Sequence, residues 1–283
     1  MIDILSKQTK MAIELTAAQN VQANLFFAKD QLLLNLAARY LRESYKNTGK
    51  TELIDINMPG TSDSDILSID QIRFLKSVSP STDTSVTTIF ALHNYQAATT
   101  EAQNAFLKIL EEPPAGTIFV LLCTSEKNLL KTIKSRAQPC DIQTINTEEA
   151  IKTLCAHYEV EDIEPFKKIA LAFNGSLDLI DIVLQDNDKL VKSNKIISDA
   201  KDITGSNVGS RIGILNDYYK DLEATAMLLT VIEVILSFNI RPDIPPDKIS
   251  ETQQSIKAVN FARESISRNG NPKIILDNLI LEL

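Results

Sequence analysis

The residues of this chain that are best suited to bind phosphate lie in a basic segment at residues 125–138, which contains Lys131, Lys134 and Arg136. The guanidinium of Arg136 is permanently charged and can bind two phosphate oxygens at once, whereas a lysine ammonium acts as a point charge. By residue chemistry alone, the segment is still most typical of a solvated basic loop and short helix.

The connection after the first predicted strand, residues 23–27, is where a phosphate-binding loop would belong. Such a loop uses glycines to bring backbone N–H groups close to phosphates, and a lysine to meet their charge. Residues 28–31 read Ala-Lys-Asp-Gln, which contains no glycine and is several residues too short. Residues 49–51 read Gly-Lys-Thr, but Ser44 stands where the leading glycine belongs and a predicted strand follows, so we interpret them as a turn.

The third predicted strand ends in His93 and Asn94, where a hydrolysing site would need acidic residues. A neutral imidazole and an amide do not offset the charge of Mg²⁺, a hard cation that prefers anionic oxygens. A single histidine at a strand end is usually structural. We therefore expect that this chain binds no nucleotide cofactor or metal and does not hydrolyse ATP by itself.

Apolar strands and helices alternate in the first half of the chain. The strand candidates are residues 23–27, 52–56, 87–92 and 117–123, and the helix candidates are residues 32–41, 68–75 and 102–110. Residues 100–103 (Thr-Glu-Ala-Gln) fit a capping box at the start of the last helix, and Pro113 ends it. Uninterrupted apolar strands between helices predict an α/β fold whose parallel sheet is covered on both faces.

From about residue 146 onward the pattern is almost entirely helical. Asn174-Gly175 is typical of a helix end, and Asn271-Pro272 is typical of a helix start. The polar and weakly patterned residues 186–207 suggest a second boundary. The chain therefore divides into residues 1–145, 146–205 and 206–283.

The composition favours a cytoplasmic protein with protein partners. The net charge of −8 opposes general affinity for nucleic acid, so any DNA contact must come from a local patch or from partner subunits. Cys123, Cys140 and Cys155 show neither CxxC spacing nor clustered histidines, so we expect reduced cysteines in the core or half-buried. No secretory signal is expected, and the apolar residues 224–238 are too few to span a membrane.

Several ordered motifs resemble the bacterial clamp-loader AAA+ family. Residues 102–114 (AQNAFLKILEEPP), a buried strand and residues 129–136 (LLKTIKSR) follow one another as in that family. Residues 68–73 (SIDQIR) and 269–281 (NGNPKIILDNLIL) are similar to two further helices of the family. The resemblance extends from about residue 23 to residue 283.

The resemblance implies a fold and a set of partners. Residues 1–145 would form an AAA+ domain with a RecA-like parallel sheet and a degenerate nucleotide site. Residues 146–205 would form a small helical lid, and residues 206–283 a helical collar that joins five subunits in a ring. The implied partners are gamma/tau-like motor subunits and a delta-like subunit, with the sliding clamp and primer–template DNA reached through the complex.

The resemblance also assigns a role to Arg136, which matches the family's arginine finger and would reach into a neighbouring subunit's ATP site, supported by Ser135. Ala137 and Lys131 replace the family's usual cysteine and proline, and Asp178 stands where the family carries a nucleotide-sensing arginine. Residues 39–51 lack the family's zinc-binding cysteines. These departures suit the delta-prime type of subunit, which does not hydrolyse ATP.

We therefore expect a non-hydrolysing subunit of the DNA polymerase III clamp loader, which helps to load the sliding clamp onto primed DNA. Three alternatives stay open. They are the clamp-opening delta subunit, an active ATPase with an unorthodox loop, and a stand-alone interaction protein on a decayed AAA+ fold.

Overall fold

The computed structural model describes residues 1–46, 50–56, 72, 86–240 and 244–283. The chain divides into two compact units, Met1–His157 and Tyr158–Leu283. The division into three domains stays a prediction.

The first unit is built on a five-stranded sheet with the order β2-β3-β4-β1-β5, in which every pairing is parallel. Its strands are β1 (Ala23–Phe27), β2 (Lys50–Ile56), β3 (Val86–Leu92), β4 (Thr117–Cys123) and β5 (Gln138–Asp141). The predicted α/β class with a parallel sheet is confirmed. The sequence pattern did not predict β5, because this strand is short, polar and mostly exposed.

Two sequence assignments around β2 and β3 need comment. Lys50 and Thr51, which we interpreted as part of a turn, are the first residues of β2. They pair with Val86 and Thr87 of β3, so the partner strand extends β2 beyond its apolar residues. Gly49 and most of the predicted helix at residues 68–75 lie outside the described residues, although Ile72 is described and buried.

Helices cover the sheet. The helices of the first unit are α1 (Lys7–Ala18), α2 (Gln31–Lys46), α3 (Thr100–Glu111), α4 (Lys131–Lys134) and α5 (Thr147–His157). Helix α2 packs against β2, β3 and β4, and α1 packs on α2. All residues of β4 are buried, which is why its sequence is continuously apolar instead of alternating.

An aromatic cluster fixes α3 to the sheet. The ring of Phe106 meets Phe119 of β4 edge-on, with centroids 5.2 Å apart, and it also lies 5.7 Å from Tyr95. Phe119 in turn stacks on Phe90 at 5.7 Å. Edge-to-face and offset arrangements are the favourable geometries for such rings, so α3 has little freedom to shift on the sheet.

The predicted capping box at the start of α3 is wrong by one residue. The cap is Thr99, whose hydroxyl accepts a hydrogen bond from the Ala102 N–H at 3.1 Å. A box that begins at Thr100 would need the Gln103 side chain to turn back to the cap, but that side chain is buried and makes other hydrogen bonds, described below.

The second unit is entirely helical among the described residues. Its helices are α6 (Glu164–Ala172), α7 (Leu177–Gln185), α8 (Asn187–Gly205), α9 (Val208–Leu215), α10 (Leu222–Phe238), α11 (Pro246–Ser267) and α12 (Pro272–Glu282). Residues 186–207, predicted as a boundary, contain the long helix α8, which packs against α10. Asn174 and Gly175 adopt positive φ after α6, and Asn271 caps α12, as predicted. No helix in the described ranges is long and apolar enough to cross a membrane.

Candidate functional site

The connection between β1 and α2 contains only three residues, 28–30. The Ala28 N–H donates to the Cys123 carbonyl at 3.3 Å and continues the pairing of β1 with β4. The carbonyl of the buried Asp30 accepts from the Leu34 N–H at 3.4 Å, so the chain enters the helix at once. None of the three residues has a positive φ.

Neutral side chains join the carboxyl ends of β1, β3 and β4. The Gln31 Nε2 atom lies 3.2 Å from His93 Nδ1, and it donates to Asn35 Oδ1 at 3.0 Å. On the other side of the β3 end, the Gln96 amide donates to Asn94 Oδ1 at 2.6 Å and to Thr124 Oγ1 at 2.8 Å. His93 and Asn94 therefore take part in a hydrogen-bonded edge.

A shallow pocket of about 330 Å³ lies beside this edge, at the ends of β1, β4 and β5. Its charged lining residues are Lys29, Glu126 and Asp141. Two carboxylates against one ammonium group give the pocket no excess positive charge, which disfavours a phosphate. Burial raises the pKa of the adjacent Cys123 thiol to about 12, so this cysteine is not a nucleophile at neutral pH.

The basic segment presents Arg136 to solvent from a buried base. Ile133 and Ala137 are 0% and 4% exposed, whereas the Arg136 side chain is 38% exposed. Its Nη2 atom donates to Glu111 Oε1 at 2.9 Å, and its Nη1 atom donates to the Thr132 carbonyl at 3.3 Å. These two hydrogen bonds place the guanidinium next to the last residue of α3.

Ser135 lies beside Arg136, and the two side chains bond to a shared acceptor instead of to each other. The Ser135 hydroxyl donates to the Thr132 carbonyl at 3.1 Å, the same carbonyl that accepts from Arg136. The two predicted site residues, Ser135 and Arg136, therefore both bond to the backbone of α4 at the Thr132 carbonyl. Glu111, which the sequence pattern placed only in a helix-ending motif, is the third member of this group.

Gln103 is a residue of this region whose importance the sequence reasoning missed. It is 1% exposed, and its amide nitrogen donates to the Ala98 carbonyl at 3.2 Å and to the Asn128 carbonyl at 2.8 Å. Its amide oxygen accepts from the Leu130 N–H at 2.9 Å. Gln103 thus ties α3 to the loop that leads into α4. A polar residue on the buried face of a helix could have signalled this, because buried polar groups need partners.

Metal chemistry finds no support within the described ranges. No group of three or more His, Cys, Asp or Glu side chains there is placed to hold a metal ion. None of the three cysteines, all of which the structure describes, forms a disulfide; Cys123 and Cys155 are buried and Cys140 is half-buried, in agreement with the predicted burial.

Comparison with known proteins agrees with this architecture. Residues 9–146 match the family described as "DNA polymerase III, delta subunit". The chain is 31% identical to the delta-prime subunit of DNA polymerase III from Haemophilus influenzae over 106 residues, which cover 37% of this chain and 32% of the relative. It is 24% identical to the delta-prime subunit from Bacillus subtilis over 219 residues, which cover 69% and 65%.

The tau subunit of DNA polymerase III from Bacillus subtilis is 27% identical over 176 residues, which cover 59% of this chain and 31% of tau. The chain thus spans about a third of the length of two of these relatives and 65% of the third. Among solved structures, a gamma subunit-related protein of Thermotoga maritima shares the fold, with a TM-score of 0.59 at 17% identity over 96% of this chain and 97% of its own. The resemblance to bacterial clamp-loader proteins is confirmed by these matches, and residues 9–146, just under half of the chain, are the part that matches the family model.

Proposed function

We propose that this chain is a non-hydrolysing, delta-prime-like subunit of a DNA polymerase III clamp loader. In this role it works in the cytoplasm with gamma/tau-like and delta-like subunits, and it reaches the sliding clamp and primed DNA through the complex. Two relatives named delta-prime support the subunit type.

The observation that carries the non-hydrolysing role is the three-residue connection at residues 28–30. A phosphate loop needs a longer, glycine-containing turn so that several backbone N–H groups can point at one phosphate. Here the chain passes from strand to helix without such a turn. The contact of Gln31 with His93 at 3.2 Å further occupies the edge where Mg²⁺ and its acidic ligands would lie.

Three features support Arg136 as the arginine finger for a neighbouring subunit's ATP site. Its guanidinium is exposed, its backbone is anchored by the buried Ile133 and Ala137, and its partner Glu111 is itself 54% exposed. Exposed ion pairs contribute only about 0–1 kcal/mol, so the oxygens of a nucleotide could replace Glu111 at little cost. Ser135 would support the finger by completing the turn that presents it.

Residues 146–205 and 206–283 are proposed as the lid and the collar. The last two helices expose large apolar side chains, with Phe261 71%, Ile274 60% and Leu281 72% exposed. Apolar groups of this size favour burial against a partner, as expected for a surface that joins subunits.

The test is the ATPase activity of the assembled complex that carries Arg136→Ala, stimulated by clamp and primed DNA. We expect an intact complex with a partial loss of turnover, because only one of several ATP sites loses its finger. Lys127→Ala, an exposed cation of the same segment, is the matched control and should retain full activity. Undiminished ATPase activity and clamp loading with Arg136→Ala would refute the finger.

A second candidate is the clamp-opening delta subunit, because the family that residues 9–146 match is described as "DNA polymerase III, delta subunit". The isolated chain would then bind the sliding clamp by itself. A binding assay between the purified chain and the clamp distinguishes the candidates, because the delta-prime role predicts clamp contact through the complex only.

A further inference from the structure

A groove of about 400 Å³ lies in the second unit, between helices α6, α8 and α10. Its floor and walls are mostly apolar, with Ile197 and Val234 inside and Leu171 and Phe238 at its lips. Leu171 is 62% exposed and Phe238 is 47% exposed, so apolar side chains at the opening of the groove are in contact with solvent. Such surfaces mark binding sites when they are concave and rimmed by polar groups.

The rim of the groove carries one sign of charge. Its charged lining residues are Lys168 of α6 and Lys201 of α8, and no carboxylate of the described residues lines it. The whole chain has 37 acidic against 29 basic residues, so the positive charge of the rim is opposite in sign to the net charge of the chain. Neither ammonium group forms an ion pair with any described residue.

Other lysines of the same two helices behave differently. On α8, the Lys192 Nζ atom lies 2.9 Å from Asp221 Oδ2, and the Lys195 Nζ atom lies 2.7 Å from Asp217 Oδ2. On α6, Lys167 lies 3.0 Å from Glu164, whereas the adjacent Lys168 faces the groove. These three lysines are thus paired with carboxylates, whereas the two at the groove have no ion pair among the described residues.

We propose that this groove binds an amphipathic helix of a partner protein that carries carboxylates beside its apolar face. An apolar channel between helices takes the apolar residues of a helix at positions i, i+3, i+4 and i+7. Lys168 and Lys201 then meet carboxylates on the flanks of that helix. Two lysines are too few to hold a nucleic acid strand, because such binding draws on many phosphate contacts.

This site goes beyond the proposed clamp-loader role and does not depend on Arg136. It is tested on the full chain with two labelled helical peptides of 18 residues that share one leucine pattern, one flanked by glutamates and the other by lysines. Fluorescence anisotropy should show binding of the acidic peptide and much weaker binding of the basic one. We expect the double variant Lys168→Glu/Lys201→Glu to weaken the acidic peptide by about tenfold or more, since each exposed ion pair accounts for up to about fivefold.

Lys167→Glu and Lys195→Glu are matched controls on the same helices, and they should change the affinity by less than about twofold because they act through solvent. Leu171→Ser should weaken both peptides if they lie in the groove. Equal affinity for the two peptides, or no binding of either at millimolar concentration, overturns the proposal. Sedimentation that shows self-association of the full chain, lost in the double lysine variant, would also overturn it in favour of a second copy as the occupant.

Discussion

Two regions of the first unit, the carboxyl edge of the sheet and the basic segment, are built in opposite ways. At the edge, Gln31, His93 and Gln96 direct polar groups toward neighbouring side chains, so the ends of the strands are bonded to one another. Next to the basic segment, the amide of Gln103 on α3 points inward, and within the segment the guanidinium of Arg136 points outward. The edge directs most of its polar groups toward one another, although the Gln96 Oε1 atom is buried without a hydrogen-bond partner among the described residues, and the segment presents one polar group to solvent.

The difference shows that the two regions depend on different parts of the chain. The residues that a nucleotide site would need are missing from only two connections, the one after β1 and the one after β3. The strands before these connections are regular members of the parallel sheet. Arg136, in contrast, needs support from elsewhere in the chain, because Gln103 on α3 and the core residue Ile133 hold the segment in place. The proposed finger therefore depends on the sheet and α3 for its position.

The largest expected effect concerns Arg136→Lys. Arginine fingers contribute about 10³–10⁵ in rate where one acts alone, through charge that develops in the transition state. Lysine keeps the charge but lacks the planar fork, so we expect this variant to resemble Arg136→Ala. Steady-state kinetics of the assembled complex should show a fall in kcat that exceeds any rise in KM. Full activity with lysine would show that charge alone suffices and would contradict the bidentate role.

Gln103→Ala compared with Gln96→Ala sharpens the contrast between the two regions. Loss of the buried amide leaves the Leu130 N–H and two carbonyls without their partner, which should cost about 1–3 kcal/mol in the free energy of unfolding. Gln96 is only half-buried, so water can replace its hydrogen bonds and the cost should stay below about 1 kcal/mol. Urea denaturation measures both values. Equal costs would mean that the basic segment does not depend on Gln103.

Glu111→Gln should have a small effect on stability. The carboxylate and the Arg136 guanidinium are both substantially exposed, and such a pair contributes about 0–1 kcal/mol. Thermal denaturation of the isolated chain at low and high salt checks this, because the difference between wild type and variant should shrink as salt rises. A loss much above this range would show that Glu111 is part of the fold and does not yield easily to a nucleotide.

The smallest expected effect is that of Mg-ATP on the isolated chain, for which we expect no stabilisation. A ligand present at a hundred times its Kd would stabilise the folded state by about 2.7 kcal/mol, which a melting curve detects easily. A clear rise in Tm with Mg-ATP that is absent with Mg²⁺ alone would contradict the contrast between the two regions. The carboxyl edge of the sheet would then be a site that binds a nucleotide.

Much of the fold followed from local patterns. The apolar run of β4 predicted a buried strand, and Asn271 before Pro272 predicted the start of α12. These signals depend on the chemistry of neighbouring residues, so the amino-acid sequence alone is enough to recognise them. The missing glycines at residues 28–30 and the absence of acids at His93 and Asn94 belong to the same class, since a residue that is not in the chain cannot contribute its chemistry.

Other features were decided by contacts between distant segments. The cap of α3 is Thr99, and Gln103 bonds to Asn128 and Leu130, because the folded chain brings that loop to the helix. Arg136 meets Glu111, which lies 25 residues earlier in the chain. A polar side chain can choose among several partners, and only the tertiary structure determines which donors and acceptors come within reach. The sequence by itself thus determined most of the described strands and helices and the chemistry available to them, and the fold decided which polar groups were paired and which were left exposed.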